Sequence, residues 1–149
     1  MNKTEIAENL FNEGYNCSQS VLRAYSEEYG LSDDFAFSIA SGFGGGMGRM
    51  QETCGAVTGA FMVIGLESWN NEAGIDKSKE ITYSLINEFV DRFIKRNNTI
   101  SCWDLLKCDL TSEEGKQYFK QNNLKNKVCL KCIKDSVEIL ELMMNEKYK

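Results

Sequence analysis

Not one of the 149 residues is proline. Proline breaks helix interiors because its ring clashes with the preceding turn and its nitrogen has no hydrogen to donate. A chain without it can run helical from end to end, leaving its turns to Gly, Asn, Asp and Ser. The apolar residues keep the matching period. Residues 3–13 place Ile6, Leu10 and Phe11 on one face, and residues 16–29 place Cys17, Val21, Ala24 and Tyr25 on a stripe. Residues 76–96 step by four through Ile81, Leu85, Phe89 and Phe93, while residues 126–146 carry Cys129, Cys132, Ile133, Val137, Leu140 and Met144 at helical spacing.

Punctuation supports these elements. Asn16 and Ser32 are N-cap candidates, Gly30 and Asn97-Asn98 are stops, and a short helix is expected from Ser101-Cys102. Thr111 and Glu114 have the spacing of a capping box. Residues 68–75 read as a loop. Between the third helix and that loop, a helix over 51–66 (CGAVTGAFMVIGL within it) is apolar on nearly all sides, which predicts a central, buried position. Phe61-Met62-Val63-Ile64 resembles a strand but has a helical setting. The expectation is an all-α, single-domain helical bundle over residues 1–149, with a Gly-rich loop before the central buried helix.

Charge and composition exclude several functions. Net charge is −5, and the 17 basic residues are scattered, so no nucleic-acid partner is expected. No apolar run approaches the roughly 20 residues of a membrane span. The first residues, MNKTEIAENLFNEGYN, carry acids and lack a continuous apolar segment, so the expected location is cytoplasmic. Acid pairs such as Glu27-Glu28 and Asp33-Asp34 read as solvated surface. There is no histidine, which removes His-ligated zinc, Ser-His and Cys-His catalytic pairs, and the usual haem-attachment sequence.

Six cysteines remain, at 17, 54, 102, 108, 129 and 132. Stable disulfides are rare in a reducing cytosol, so such thiols are expected to be redox-active, metal-binding or buried. Cys54 follows GFGGGMGRMQET and sits near a predicted helix start, where free N–H groups and the helix dipole favour a thiolate. Arg49 could add positive charge. Gly44, Gly45 and Gly46 could turn N–H groups toward a thiolate or ligand. Gly55 and Gly59 leave one helix face bare for close approach. The loop lacks the last small residue of a dinucleotide fingerprint, no Gly-Lys-Ser/Thr follows and no strand precedes it, so nucleotide binding is disfavoured. Cys17 and Cys102 also lie near predicted helix starts. Cys129 and Cys132 form CLKC, whose three-residue spacing lets both thiols share a face.

Taken in order, Asn16-Cys17-Ser18-Gln19-Ser20-Val21, the Gly-rich stretch through Cys54-Gly55-Ala56-Val57-Thr58-Gly59, Ser101-Cys102-Trp103-Asp104-Leu105-Leu106, and Cys129-Leu130-Lys131-Cys132-Ile133-Lys134-Asp135-Ser136 resemble the redox-active protein family known by its motif C_GCAxxG_C_C. The resemblance spans nearly the whole chain. It implies that the recurring cysteines are Cys17, Cys54, Cys102 and Cys129, with Cys108 and Cys132 outside that set.

Three functions follow as expectations. The first is thiol–disulfide or electron-transfer chemistry, possible as an oxidoreductase, with Cys54 as thiolate and Cys17, Cys102 or Cys129 resolving it, toward an unidentified redox partner. The second uses Cys17, Cys54, Cys102 and Cys129 as ligands of an iron–sulfur cluster or zinc, with Gly44, Gly45, Gly46, Arg49 and Gly55 around the cofactor. The third is a non-catalytic helical interaction module with core cysteines, able to form a homodimer through apolar surface.

Overall fold

Side-chain caps start most of the helices. Helix α1, Lys3–Glu13, opens with a capping box in which Asn2 and Glu5 each accept the other's backbone N–H. Helix α2, Cys17–Ser26, repeats the device with Asn16 and Gln19. A short 3-10 turn, Glu27–Tyr29, carries the chain to left-handed Gly30. Ser32 caps α3, Asp33–Ala40. The central helix α4 is Gly55–Ser68, and the long α5, Ile75–Asn97, stops at left-handed Asn98. Ser101 caps α6, Cys102–Leu106. Helix α7 is Glu113–Gln121 and α8 is Leu130–Lys147, the latter entered through a π-helical turn at Lys125–Cys129. The computed structural model describes residues 1–147, and they are all-α, with no strand among the described residues.

Two boundaries differ from the sequence reading. The cap of α7 is Ser112, whose Oγ accepts the Gly115 N–H at 2.9 Å, rather than Thr111. Thr111 is instead held by the Asp109 carboxylate, which accepts both its N–H and its hydroxyl. The central helix begins at Gly55, not near 51. Residues 51–54 lie alongside 100–103: Cys54 N–H donates to Ile100 at 2.7 Å, and the N–H groups of Cys102 and Trp103 donate to Glu52 and Gln51. An isolated antiparallel bridge joins Thr53 to Ser101.

The glycines ahead of α4 have a definite shape. Gly45, Gly46, Met47, Gly48 and Arg49 all have φ between 61° and 68°. These five consecutive residues make a left-handed turn, closed by Gln51 N–H to Gly45 and Glu52 N–H to Gly46 at 3.1 and 2.9 Å. Each L-residue in that conformation costs roughly 1–2 kcal/mol. Three glycines among the five remove most of that penalty.

Packing centres on α4, which α2, α5 and α8 contact. Its face against α2 is made by Gly55 and Gly59. A Cβ on Gly59 would stand 2.9 Å from the Ser18 carbonyl oxygen, and one on Gly55 3.1 Å from Cys17 Cβ. The missing side chains thus let α2 lie close enough to bring Cys17 beside α4. Tyr25, Val57, Phe89, Phe93, Ile133 and Leu140 are fully buried in the core. Burial of such a side chain is worth about 1.5–3 kcal/mol. On the outside, Arg92 pairs with Glu146 and Arg96 with Glu138, each at 2.6 Å, across α5 and α8. Exposed pairs contribute about 0–1 kcal/mol each, so the apolar seam dominates the α5–α8 contact. Among the described residues, no helix is long and apolar enough to cross a membrane.

Candidate thiol site

Five of the six cysteines line one cavity of about 380 Å³. Each arrives from a different part of the chain by a distinct local cause. Cys17 is the first residue of α2, fixed by the Asn16 cap. Cys54 is the N-cap residue of α4, and its backbone is tied to Ile100. Cys102 opens α6 after the Ser101 cap, and Cys129 ends the π-helical turn. Cys132 follows three residues later inside α8. Cys108 is buried behind this site in a small apolar cluster with Cys102 and Leu106.

The thiols interact in pairs. Cys54 is hydrogen-bonded to Cys132, and Cys17 to Cys129. The first pair is strongly polarised. Cys54 is held below the ordinary thiol range, foremost by the hydrogen bond from Cys132, with burial acting in the opposite sense. No side-chain capping bond of ordinary length closes at Cys54. The Ala56 and Val57 amides in the first turn nevertheless favour its thiolate, as expected for a helix N-terminus. Cys132 is displaced upward, because its proton is shared with Cys54 and because it is buried. Cys17 is raised by its hydrogen bond with Cys129 and by burial. Burial pushes Cys102 up to about 12, reinforced by the neighbouring Cys54 and Cys129. One thiolate is therefore favoured at Cys54, with Cys17, Cys102 and Cys132 displaced toward the protonated form.

Of the glycine-loop residues singled out in the sequence, Gly45, Gly46, Arg49 and Gly55 line the cavity. Gly44 does not; it packs against the side chain of Asn16, where a Cβ would stand 2.6 Å from Asn16 Cβ. The later N–H groups of the loop are used within it. The N–H groups of residues 48–52 donate to carbonyls within the left-handed turn itself. The loop supplies close approach: a Cβ on Gly46 would stand 2.6 Å from Cys102 Cβ.

Two residues outside the expected site set belong here. Cys132, outside the recurring four, is the direct partner of Cys54. Its signal was present in the CLKC spacing, but that spacing suggested one shared partner, whereas Cys129 and Cys132 meet different ones. Gln51 is buried, and its side-chain amide donates to the Cys108 carbonyl at 2.7 Å and accepts the Leu110 N–H at 2.8 Å. It fastens the glycine loop to the segment after α6, where Leu110 forms cavity wall. No local pattern marks such a long-range clamp. As for a metal, no group of three or more His, Cys, Asp or Glu among the described residues is placed to hold an ion.

A helical bundle that gathers cysteines from α2, α6, α8 and the start of its central helix around one cavity defines a class of thiol-bearing all-α proteins. The family model described as "Putative redox-active protein (C_GCAxxG_C_C)" matches residues 15–143, and the chain belongs to that family. No curated protein and no solved structure matches it.

Proposed function

We propose that the protein is a thiol-dependent oxidoreductase in which Cys54 and Cys132 are the working dithiol. The observation that carries this reading is the Cys54–Cys132 contact, with the thiolate favoured at Cys54 and the proton on Cys132. A thiolate attacks a disulfide sulfur, and a neighbouring thiol then resolves the mixed disulfide. Cys54 is suited to the attack. Cys132 is suited to the resolving step, since a sulfur already in hydrogen-bond contact needs only a short approach to the roughly 2.05 Å of a disulfide. Cys17 and Cys129 form a second dithiol across the same cavity and can accept the disulfide by exchange. Membership of a redox-active family agrees with this assignment.

The test is disulfide mapping. Protein prepared without air is equilibrated in graded dithiothreitol buffers, alkylated and digested with trypsin, which cuts after Lys131 and so separates Cys129 from Cys132. A reversible Cys54–Cys132 linkage is expected, and it disappears in Cys54→Ser and Cys132→Ser. A Cys54 that stays free while other cysteines pair would refute the assignment. Stoichiometric iron or zinc on the anaerobic protein would return the thiols to the ligand reading.

A further inference from the structure

The charge around the cavity runs against that of the chain. Acids outnumber bases overall, 22 to 17. Yet Arg49, Lys116 and Lys125 line the cavity, and among the described residues no Asp or Glu does. Arg49 and Lys125 make no ion pair with a described residue, and Lys116 makes only an exposed one with Glu113 at 3.6 Å. The Lys125 ammonium lies 5.2 Å from the centre of the Phe11 ring, which forms part of the wall. The Arg49 stem lies close over Gly45, which is also in the wall. Between these cations the surface is hydrocarbon from Leu105, Leu110, Phe119 and Val128.

Access limits the substrate further. Cys54 is 6% exposed and Cys132 only 1%. A disulfide on the surface of a folded protein cannot bring its sulfur to either atom without unfolding one partner. A cavity of about 380 Å³ lies toward the small end of small-molecule sites.

Building on the dithiol reading above, we infer that the substrate is a low-molecular-weight organic disulfide with carboxylate-bearing arms, held by Arg49 and Lys125 with its sulfurs at Cys54. The step balances. The Cys54 thiolate attacks one substrate sulfur; the substrate S–S bond breaks, and the first arm leaves as a thiolate that takes the Cys132 proton. The Cys132 thiolate then attacks the Cys54 sulfur, and the second arm leaves as a thiolate. Two electrons pass to the substrate, which becomes one thiol and one thiolate, and Cys54 and Cys132 become a disulfide.

Three probes of graded charge test this: dithiodiglycolate (anionic), bis(hydroxyethyl) disulfide (neutral) and cystamine (cationic). The rate at which each oxidises the reduced protein is divided by its rate with free dithiothreitol, which cancels intrinsic reactivity. Dithiodiglycolate should exceed cystamine by about tenfold or more, the lower end of what a charge-focusing cleft achieves. Added salt should narrow the gap. Arg49→Gln with Lys125→Gln should flatten the order, and Arg49→Glu with Lys125→Glu should reverse it. Both side chains are exposed, so these variants are expected to fold. Cystamine matching dithiodiglycolate in the parent protein, or an order unmoved by the double Glu variant, would overturn the substrate class. The small neutral oxidant diamide separates the two levels. If diamide closes Cys54–Cys132 and the charge order is absent, the substrate class alone falls; if diamide also fails, the dithiol reading falls with it.

Discussion

Replacing Gly46 with alanine separates two reasons for a glycine, and Gly48→Ala is its control. Both positions are left-handed, with φ of 67° and 61°. Each alanine therefore incurs the backbone penalty of about 1–2 kcal/mol. Their surroundings differ. At Gly48 the nearest atom to a new Cβ is the Gly42 carbonyl oxygen at 3.8 Å, an ordinary contact. At Gly46 the Cβ would meet Cys102 Cβ at 2.6 Å, Gln51 Cα at 2.7 Å and the Glu52 nitrogen at 2.8 Å. Two of those three atoms are backbone and cannot rotate away. Overpacking of this kind adds about 1–3 kcal/mol, so Gly46→Ala should lose about 2–5 kcal/mol and Gly48→Ala about 1–2 kcal/mol. Against a typical domain stability of about 5–15 kcal/mol the first loss is large. Urea unfolding followed by circular dichroism, with dithiothreitol keeping every thiol reduced, measures both. Equal losses for the two variants would refute the claim that the loop exists to bring its backbone against Cys102.

Two further predictions concern the site and its clamp. Cys132→Ala removes the hydrogen bond that most strongly lowers Cys54, so the pH midpoint for alkylation of Cys54 by iodoacetamide should move upward; an unmoved midpoint would show that Cys132 does not hold the thiolate. The sign carries over to stability: a thiol depressed in the folded protein contributes stability above its unfolded value of about 8.5 and loses it as pH falls through the folded value, and this dependence should weaken in the variant. Gln51→Ala strands the Cys108 carbonyl and the Leu110 N–H. An unsatisfied buried group costs about 1–3 kcal/mol, so a loss near 2 kcal/mol is expected, with faster hydrogen exchange at Leu110; unchanged exchange would mean that the segment is held by other contacts.

Much of the fold was legible because its signals are local. Asn16 and Ser32 cap the helices they were expected to cap, and each does so with a side chain that reaches only three residues; the short helix expected from Ser101-Cys102 starts there. Of the stripe through Ile81, Leu85, Phe89 and Phe93, the last two are buried as its period requires, while Leu85 is half-buried and Ile81, near the helix start, is exposed. The bareness of Gly55 and Gly59 does let another helix and a thiol come close. What local pattern could not reveal depends on distant partners. The start of α4 is delayed because residues 51–54 bond to residues 100–103, which are far away in sequence. Thr111 and Ser112 both suit an N-cap, and the nearby Asp109 carboxylate decides between them by holding Thr111. The pairing of Cys54 with Cys132 needs α4 and α8 in register, which no spacing in either segment encodes.

The π-helical turn at Lys125–Cys129 carries a consequence for the last two cysteines. A widened turn holds about one residue more than its neighbours, so that residue is absorbed without turning the chain further around the helix axis. Cys129 leaves this widened coil just before the regular spiral that bears Cys132 resumes. Excising Asn126 would let the turn tighten to α pitch and leave Lys125 and Cys132 close to the relative phase they have now. The bulge thus works as a slack-holder: it carries a surplus residue without putting the basic rim out of step with the sulfurs below it.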